Sequence, residues 1–283
     1  MTVSRLTAAL ALLMAVCAVH AAAPDQLRQQ TELGMVVRGK IYIRPDGSVD
    51  HYTITEPSKI AAAVRGILAR QIPQWKFEPV GVDGNAVMTH ADATLRIVAK
   101  PDGDSYLAGI QGAQFFGGAR DGSTRLSVRE QTPKLSYPSA ALGMSADVHI
   151  TLKIGRDGKA LDAIVRKVDL TASASDAQMA KARTVLAESA LAAVRQWSFN
   201  VPTRGKTAGL PYWTGILLVT FDYTGQELPY GKWRPYLPGP CTATPWPSLD
   251  PGDAQAGHDC DSAPAYADDV DSDGPKLLTP LMQ

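Results

Sequence analysis

Two stretches far apart in the chain, "QWKFEP" (74–79) and "QWSFNVP" (196–202), each set Trp, one residue, Phe and then Pro behind a helical apolar pattern. A corner written twice constrains the fold strongly, because the sequence around both copies keeps the same order. Before the first, "VVRGKIYIRPDGSVDHYTIT" (36–55) alternates apolar and polar residues on both sides of Asp46-Gly47. Period-two runs flanking Pro-Asp-Gly predict a β-hairpin. Ile60, Val64, Ile67 and Leu68 then fall at i, i+4, i+7 and i+8, a helical stripe for which Ser58 is the expected N-cap. Pro73 ends that helix, and "ADATLRIVAK" (91–100) supplies a third strand. Before the second corner, Val148, Ile150, Leu152 and Ile154 alternate, the chain turns at Asp157-Gly158, and Leu161, Ile164 and Val168 resume. A helix over 176–197 follows, with Asp176 as expected N-cap, and 213–223 is the closing strand. Gly47 precedes Trp75 by 28 residues and Gly158 precedes Trp197 by 39, which fits a longer loop and a longer second helix.

The predicted fold is α+β: two tandem β-β-α-β units, each a small antiparallel sheet packed on one helix, plus a Pro-rich C-terminal extension. The boundaries are a signal peptide (1–21), a first, degenerate unit (30–100), a Gly-rich linker (101–132), a second unit (133–225) and a tail (226–283). The linker has room for one short strand near Arg125–Arg129, and its "FFGG" reads as a packed tip. The tail is dense in Pro and aromatics and then acidic, which predicts irregular chain lying on the second unit, with a mobile end. In both corners Trp and Phe alternate in extended chain and lay their rings on one apolar face. Burying each is worth about 2–3 kcal/mol. Trp75, Phe77, Trp197 and Phe199 therefore read as core, Pro79 and Pro202 as stops, and Gly47 and Gly158 as turn glycines needing φ > 0.

The N-terminus reads as an export signal. Arg5 precedes the apolar run 6–19, and Val19 and Ala21 sit at the −3 and −1 positions of a cleavage site. The run is short for a membrane span. Export places the protein in the periplasm or cell envelope, where Cys241 and Cys260 are expected to form a disulfide worth about 3 kcal/mol in loop entropy. The rival reading is a metal site of Cys241, Cys260, His258 and a carboxylate, which lacks paired C-x-x-C spacing. With 28 basic and 28 acidic residues, no charge excess points to nucleic acid.

The pattern resembles the C-terminal domain of TonB-type energy transducers and their periplasmic relatives. Pro133, Tyr137, Pro138, Ala141, Asp157, Gly158, Trp197, Phe199 and Pro202 fall on that family's motifs; the first unit carries Asp46, Gly47, Trp75, Phe77 and Pro79. The resemblance implies the α+β fold and a protein-binding role in the envelope. The long Pro/Lys/Glu linker of a transducer is missing, so a membrane-anchored energy transducer for outer-membrane transport is the alternative.

Chemistry-bearing motifs are sparse. The histidines left after export (His51, His90, His149, His258) form no H-E-x-x-H, and there is no G-x-S-x-G elbow, P-loop or G-x-G-x-x-G. Asp269, Asp271 and Asp273 begin a calcium-loop pattern whose twelfth position is Pro280, so a solvated acidic tail is the expectation. No cofactor is expected, and the chain reads as non-enzymatic. The expected function is capture of an envelope protein, or self-association, by β-strand addition. The candidate edges are 91–98 and 213–223, with Ile216, Leu217, Val219 and Phe221 marking the second. The other alternative is an envelope enzyme or small-ligand binder that uses the cleft between the units.

Overall fold

In the computed structural model, which describes residues 24–82, 84–117, 122–223, 230–249 and 274–281, the chain is α+β with antiparallel sheets. A short helix α1 (Pro24–Gln30) leads into strand β1 (Glu32–Ile43), which turns into β2 (Val49–Ile54). The turn is built as the Asp-Gly pair predicts. Gly47 takes φ +80°, its N–H donates to Arg44 O at 2.9 Å, and the Asp46 carboxylate accepts from Ser48 N and Oγ at 2.9 and 2.6 Å. Helix α2 (Ala62–Gln71) follows a 3-10 turn, then come the short pair β3 (Gly81–Val82) and β4 (Asn85–Ala86) and the long hairpin β5 (Thr89–Asp102) and β6 (Ser105–Phe116). β5 pairs with β1 over its length, and β6 with β5. Met35, Val37, Ile41 and Ile43 alternate inward along β1 and meet Val64, Ile67 and Leu68 of α2 in one core.

The second sheet begins after β7 (Ser127–Glu130) with β8 (Ala146–Gly155) and β9 (Ala160–Leu170). Helix α3 (Asp176–Val194) and β10 (Ser198–Asn200), which pairs with β7 in a separate two-stranded ladder, lead to β11 (Tyr212–Phe221), which completes the sheet in the order β11–β8–β9. Ala182, Leu186, Ala190 and Val194 bury one side of α3 against Val148, Ile150, Leu152, Leu217 and Val219. Finally β12 (Arg234–Tyr236) pairs with the start of β1, alongside β2 on the same edge.

Several expectations shift. α2 starts at Ala62 rather than at Ser58, because Pro57–Lys59 forms a separate 3-10 turn and Ala61, which has no capping side chain, precedes the helix. The N-cap of α3 is Ser175, one residue before Asp176. Its Oγ accepts from Gln178 N while the Gln178 side chain accepts from Ser175 N, a capping box. Asp176 stands instead in the first turn, where its charge suits the helix dipole. Residues 105–116, expected in the linker, are the strand β6, and its Ile110, Ala113 and Phe115 enter the first core.

The tail is not confined to the second sheet. Leu237 exchanges main-chain hydrogen bonds with Leu170 (2.7 and 3.0 Å), and Thr242 N donates to Arg166 O at 2.8 Å, covering the outer edge of β9. Tyr230 Oη, however, donates to Thr55 O at 2.8 Å and accepts from Arg38 N at 3.1 Å on the first sheet. The end of the chain, expected to be mobile, is packed over 274–281: Leu277 bridges Phe77, Leu278 N donates to Lys76 O at 2.7 Å, and Gly274 N to Phe115 O at 2.7 Å. The apolar Leu277 and Leu281 bury themselves in the first core, which a composition-based reading of the acidic neighbourhood missed. Cys260, His258 and Asp269–Asp273 lie outside the described residues, as does the signal segment 1–21.

Candidate functional site

The residues that the sequence marks most heavily turn out to build scaffold. Trp75 and Phe77 are 3 % and 1 % exposed, Trp197 and Phe199 2 % and 1 %. Trp75, Phe77 and Phe115 form a triangle of near-perpendicular rings with centroids 5.0–6.4 Å apart. The two corners share their contacts with the hairpin turns. Phe77 N donates to Gly47 O at 2.8 Å and Phe199 N to Gly158 O at 2.9 Å. A Cβ on Gly47 would lie 2.1 Å from Phe77 O, and one on Gly158 2.2 Å from Phe199 O. Asp157 Oδ1 accepts from Lys159 N at 3.0 Å, as Asp46 does from Ser48 N. Trp197 Nε1 donates to Pro133 O at 3.0 Å, and Tyr137 Oη to Met144 O at 3.1 Å beside the rings of Phe221 and Tyr223. Pro138 precedes a 3-10 turn, Pro202 is buried, and Pro79 is exposed.

The edge of β11 is different. Leu170 turns its backbone groups away from β8 to Leu237, so Asp169 points its own toward β8, opposite Asp147. At the other end Gly155 N donates to Lys159 O, on the same side. Odd residues of β8 thus bond to β9, and even residues to β11. Their partners across the ladder are Trp213, Gly215, Leu217, Val219 and Phe221. Tyr212, Thr214, Ile216, Leu218 and Thr220 therefore aim their N–H and C=O groups outward. Among the described residues nothing hydrogen-bonds to those five backbone units. Of the four residues expected on this edge, Ile216 alone presents outward groups. Leu217, Val219 and Phe221 bond to β8 and bury their side chains in the core (4 %, 2 % and 3 % exposed). Leu218 and Thr220, which complete the edge with Ile216, emerge only once the register is known.

The other expected edge, 91–98, is closed. β6 pairs with β5 along its whole outer side. The first sheet therefore has a strand beside β5 where no described strand lies beside β11. Strand β11 carries no charged residue and no Pro, the usual guards of an exposed edge.

Beside this edge the outer faces of the two sheets enclose a cleft of about 760 Å³. Leu218 and Thr220 of β11 and Asp147 of β8 form one wall; Val36 and Arg38 of β1, with Thr94 and Arg96 of β5, form the other. At its back is a buried charge cluster. Asp169, with no exposed side-chain surface, lies 3.0 Å from His149 Nε2, 3.2 Å from Lys167 Nζ and 3.8 Å from Arg96 Nη2. Burial alone would raise the Asp169 carboxyl. The His149 hydrogen bond and the positive charges of Lys167 and Arg96 outweigh it and hold the group at about 2. For His149 burial dominates: it pushes the imidazole below its ordinary value, against the pull of Asp169. Arg96 also lies 5.2 Å over the Tyr236 ring, and Tyr236 Oη donates to Glu32. Burial raises the Tyr236 phenol, which keeps that donor protonated. This cluster joins the two sheets through Arg96 of β5 and Asp169 of β9.

Comparison of the chain with protein-family models, with curated proteins and with solved structures gave no match. Among the described residues no helix is long and apolar enough to cross a membrane.

Proposed function

We propose that the protein is a non-catalytic binding module of the periplasm or cell envelope that captures an extended segment of an envelope protein by strand addition to the outer edge of β11. The observation that carries this reading is the row of five backbone units, unpaired among the described residues, on an uncharged strand whose other side is bonded to β8. Each unpaired pair of groups offers a partner main-chain hydrogen bonds, the source of affinity in β-augmentation. β6 on β5 is an internal example of the same geometry.

We read β1-β2-α2-β5 and β8-β9-α3-β11 as two copies of one β-β-α-β unit, resembling the C-terminal domain of TonB-type transducers. The matched turn-to-corner hydrogen bonds at Gly47–Phe77 and Gly158–Phe199 support that reading. In it the first copy has its strand-accepting edge filled by β6, and the second keeps its edge open. Export by the N-terminal signal and a disulfide between Cys241 and Cys260 are parts of the same proposal.

The test is a crosslinking pulldown from the native periplasm with three forms of the protein. Leu218→Pro removes an outward N–H without breaking the ladder to β8, and should abolish capture. Leu218→Ala keeps that N–H and should capture like the unaltered protein. Equal capture by the proline variant, with its circular dichroism unchanged, would sink the proposal. Recovery of the uncleaved chain from inner membranes would move the reading to an anchored transducer.

A further inference from the structure

The cleft has a chemistry of its own, separate from the strand edge. Arg38, Arg96, Lys232 and Arg234 line it, and among the described residues Asp147 is the one acidic residue that does. The chain as a whole is neutral, so this imbalance is local. The four cations come from three separate places: Arg38 from β1, Arg96 from β5, and the other two from the segment entering β12. Arg38, Lys232 and Arg234 have no carboxylate partner among the described residues. Asp147 is itself engaged, accepting from Thr220 Oγ1 at 2.8 Å.

Like charges gathered around a concave surface repel one another, and a cleft with apolar walls focuses their field. Met35, Leu218 and the Tyr236 ring supply such walls here. Arg96 is fixed between Asp169 and the Tyr236 ring, so it gives the cleft a rigid basic floor, while Arg38 and Arg234 stand at its rim. Guanidinium forks match carboxylate and phosphate oxygens two at a time. The volume, about 760 Å³, falls within the range of small-molecule sites.

We propose that the cleft between the two sheets binds a small molecule carrying two or more carboxylate or phosphate groups, held by Arg38, Arg96, Lys232 and Arg234. The hydroxyl of Thr94 adds a neutral donor beside the charges, whereas that of Thr171 donates to Ser145 O at 3.1 Å. The site needs no partner strand on β11, so it stands or falls independently of the binding function proposed above.

Isothermal titration of the purified protein with citrate and with inorganic pyrophosphate tests it. At least one of the two should bind one to one and weaken as salt is raised. Citrate alone would assign a polycarboxylate ligand, and pyrophosphate alone a phosphorylated one. The double variant Arg38→Glu, Arg234→Glu should lose about tenfold or more in affinity. Because neither side chain has an ion-pair partner to break, its melting temperature should stay close to that of the unaltered protein. Asp147→Asn should tighten binding. Binding of neither probe overturns the proposal, as does an affinity that the double charge reversal leaves within about twofold.

Discussion

Gly47 and Gly158 each combine a positive φ, +80° and +74°, with a carbonyl oxygen closer than a Cβ can tolerate. Gly84 has the same backbone conformation, φ +81°, with nothing within 4 Å. The three positions therefore separate strain from crowding. Gly84→Ala should cost about 1 kcal/mol, the left-handed penalty alone. Gly47→Ala and Gly158→Ala should cost more than about 2 kcal/mol each, because the corner backbone must move, and urea unfolding measures the difference. The buried charges set a second residue-scale expectation, with the same sign for both groups. Asp169 is held near 2, below its ordinary 3.8, so it contributes about 2 kcal/mol above pH 4 that is lost as the pH falls toward 2. His149 is held below 6.5, so acidification through 6.5 adds a proton to the unfolded chain that the folded one resists, and stability falls there too. His149→Gln should flatten the fall in stability between about pH 7 and pH 5, and should also weaken the more acidic one, because the imidazole helps to hold Asp169 low. An unchanged slope would assign that limb to another group.

Among the elements, β11 makes the sharpest prediction, because its two faces and two edges are all distinct. Val219→Pro removes a ladder hydrogen bond to β8 and disturbs a buried side chain, and should cost about 3 kcal/mol or more. Leu218→Pro, one residue away, removes an N–H that has no partner and should cost far less. Equal losses in thermal or urea unfolding would contradict the register. The existence of β11 was legible in its apolar run, and so were the alternation of β1 and β8 and both Asp-Gly turns. Which of its residues face outward was not, since the answer depends on Leu170 bonding to Leu237, a contact between the second sheet and the tail. β6 was missed although its signal was present. Pro101-Asp102-Gly103 repeats the Pro45-Asp46-Gly47 turn, and Gly103 has φ +57°, but the glycines at 109 and 112 read as linker. The cleft cations had no local signature. Arg38 and Arg96 sit on the polar side of alternating strands, where single charges are unremarkable, and meet Lys232 and Arg234 only through tertiary pairing.

At the scale of the whole molecule, the chain ties its halves together by its last segments. β12 joins β1, Leu237 joins β9, and Leu277 returns to the corner of the first sheet at Phe77. Leu277→Ala should therefore cost about 2 kcal/mol or more in urea unfolding, though it lies only six residues before the end of the chain. A loss below about 0.5 kcal/mol would mean that 274–281 does not hold the first core. The central claim concerns the edge left over when all these segments are placed. Amide-resolved hydrogen exchange along β11, with and without the captured partner, tests it most directly. In the free protein the amides of Gly215, Leu217 and Val219 should be protected and those of Thr214, Ile216 and Leu218 should exchange freely. Partner binding should protect the second set. Protection of Thr214, Ile216 and Leu218 already in the free protein, or their continued exchange in the complex, would contradict the account.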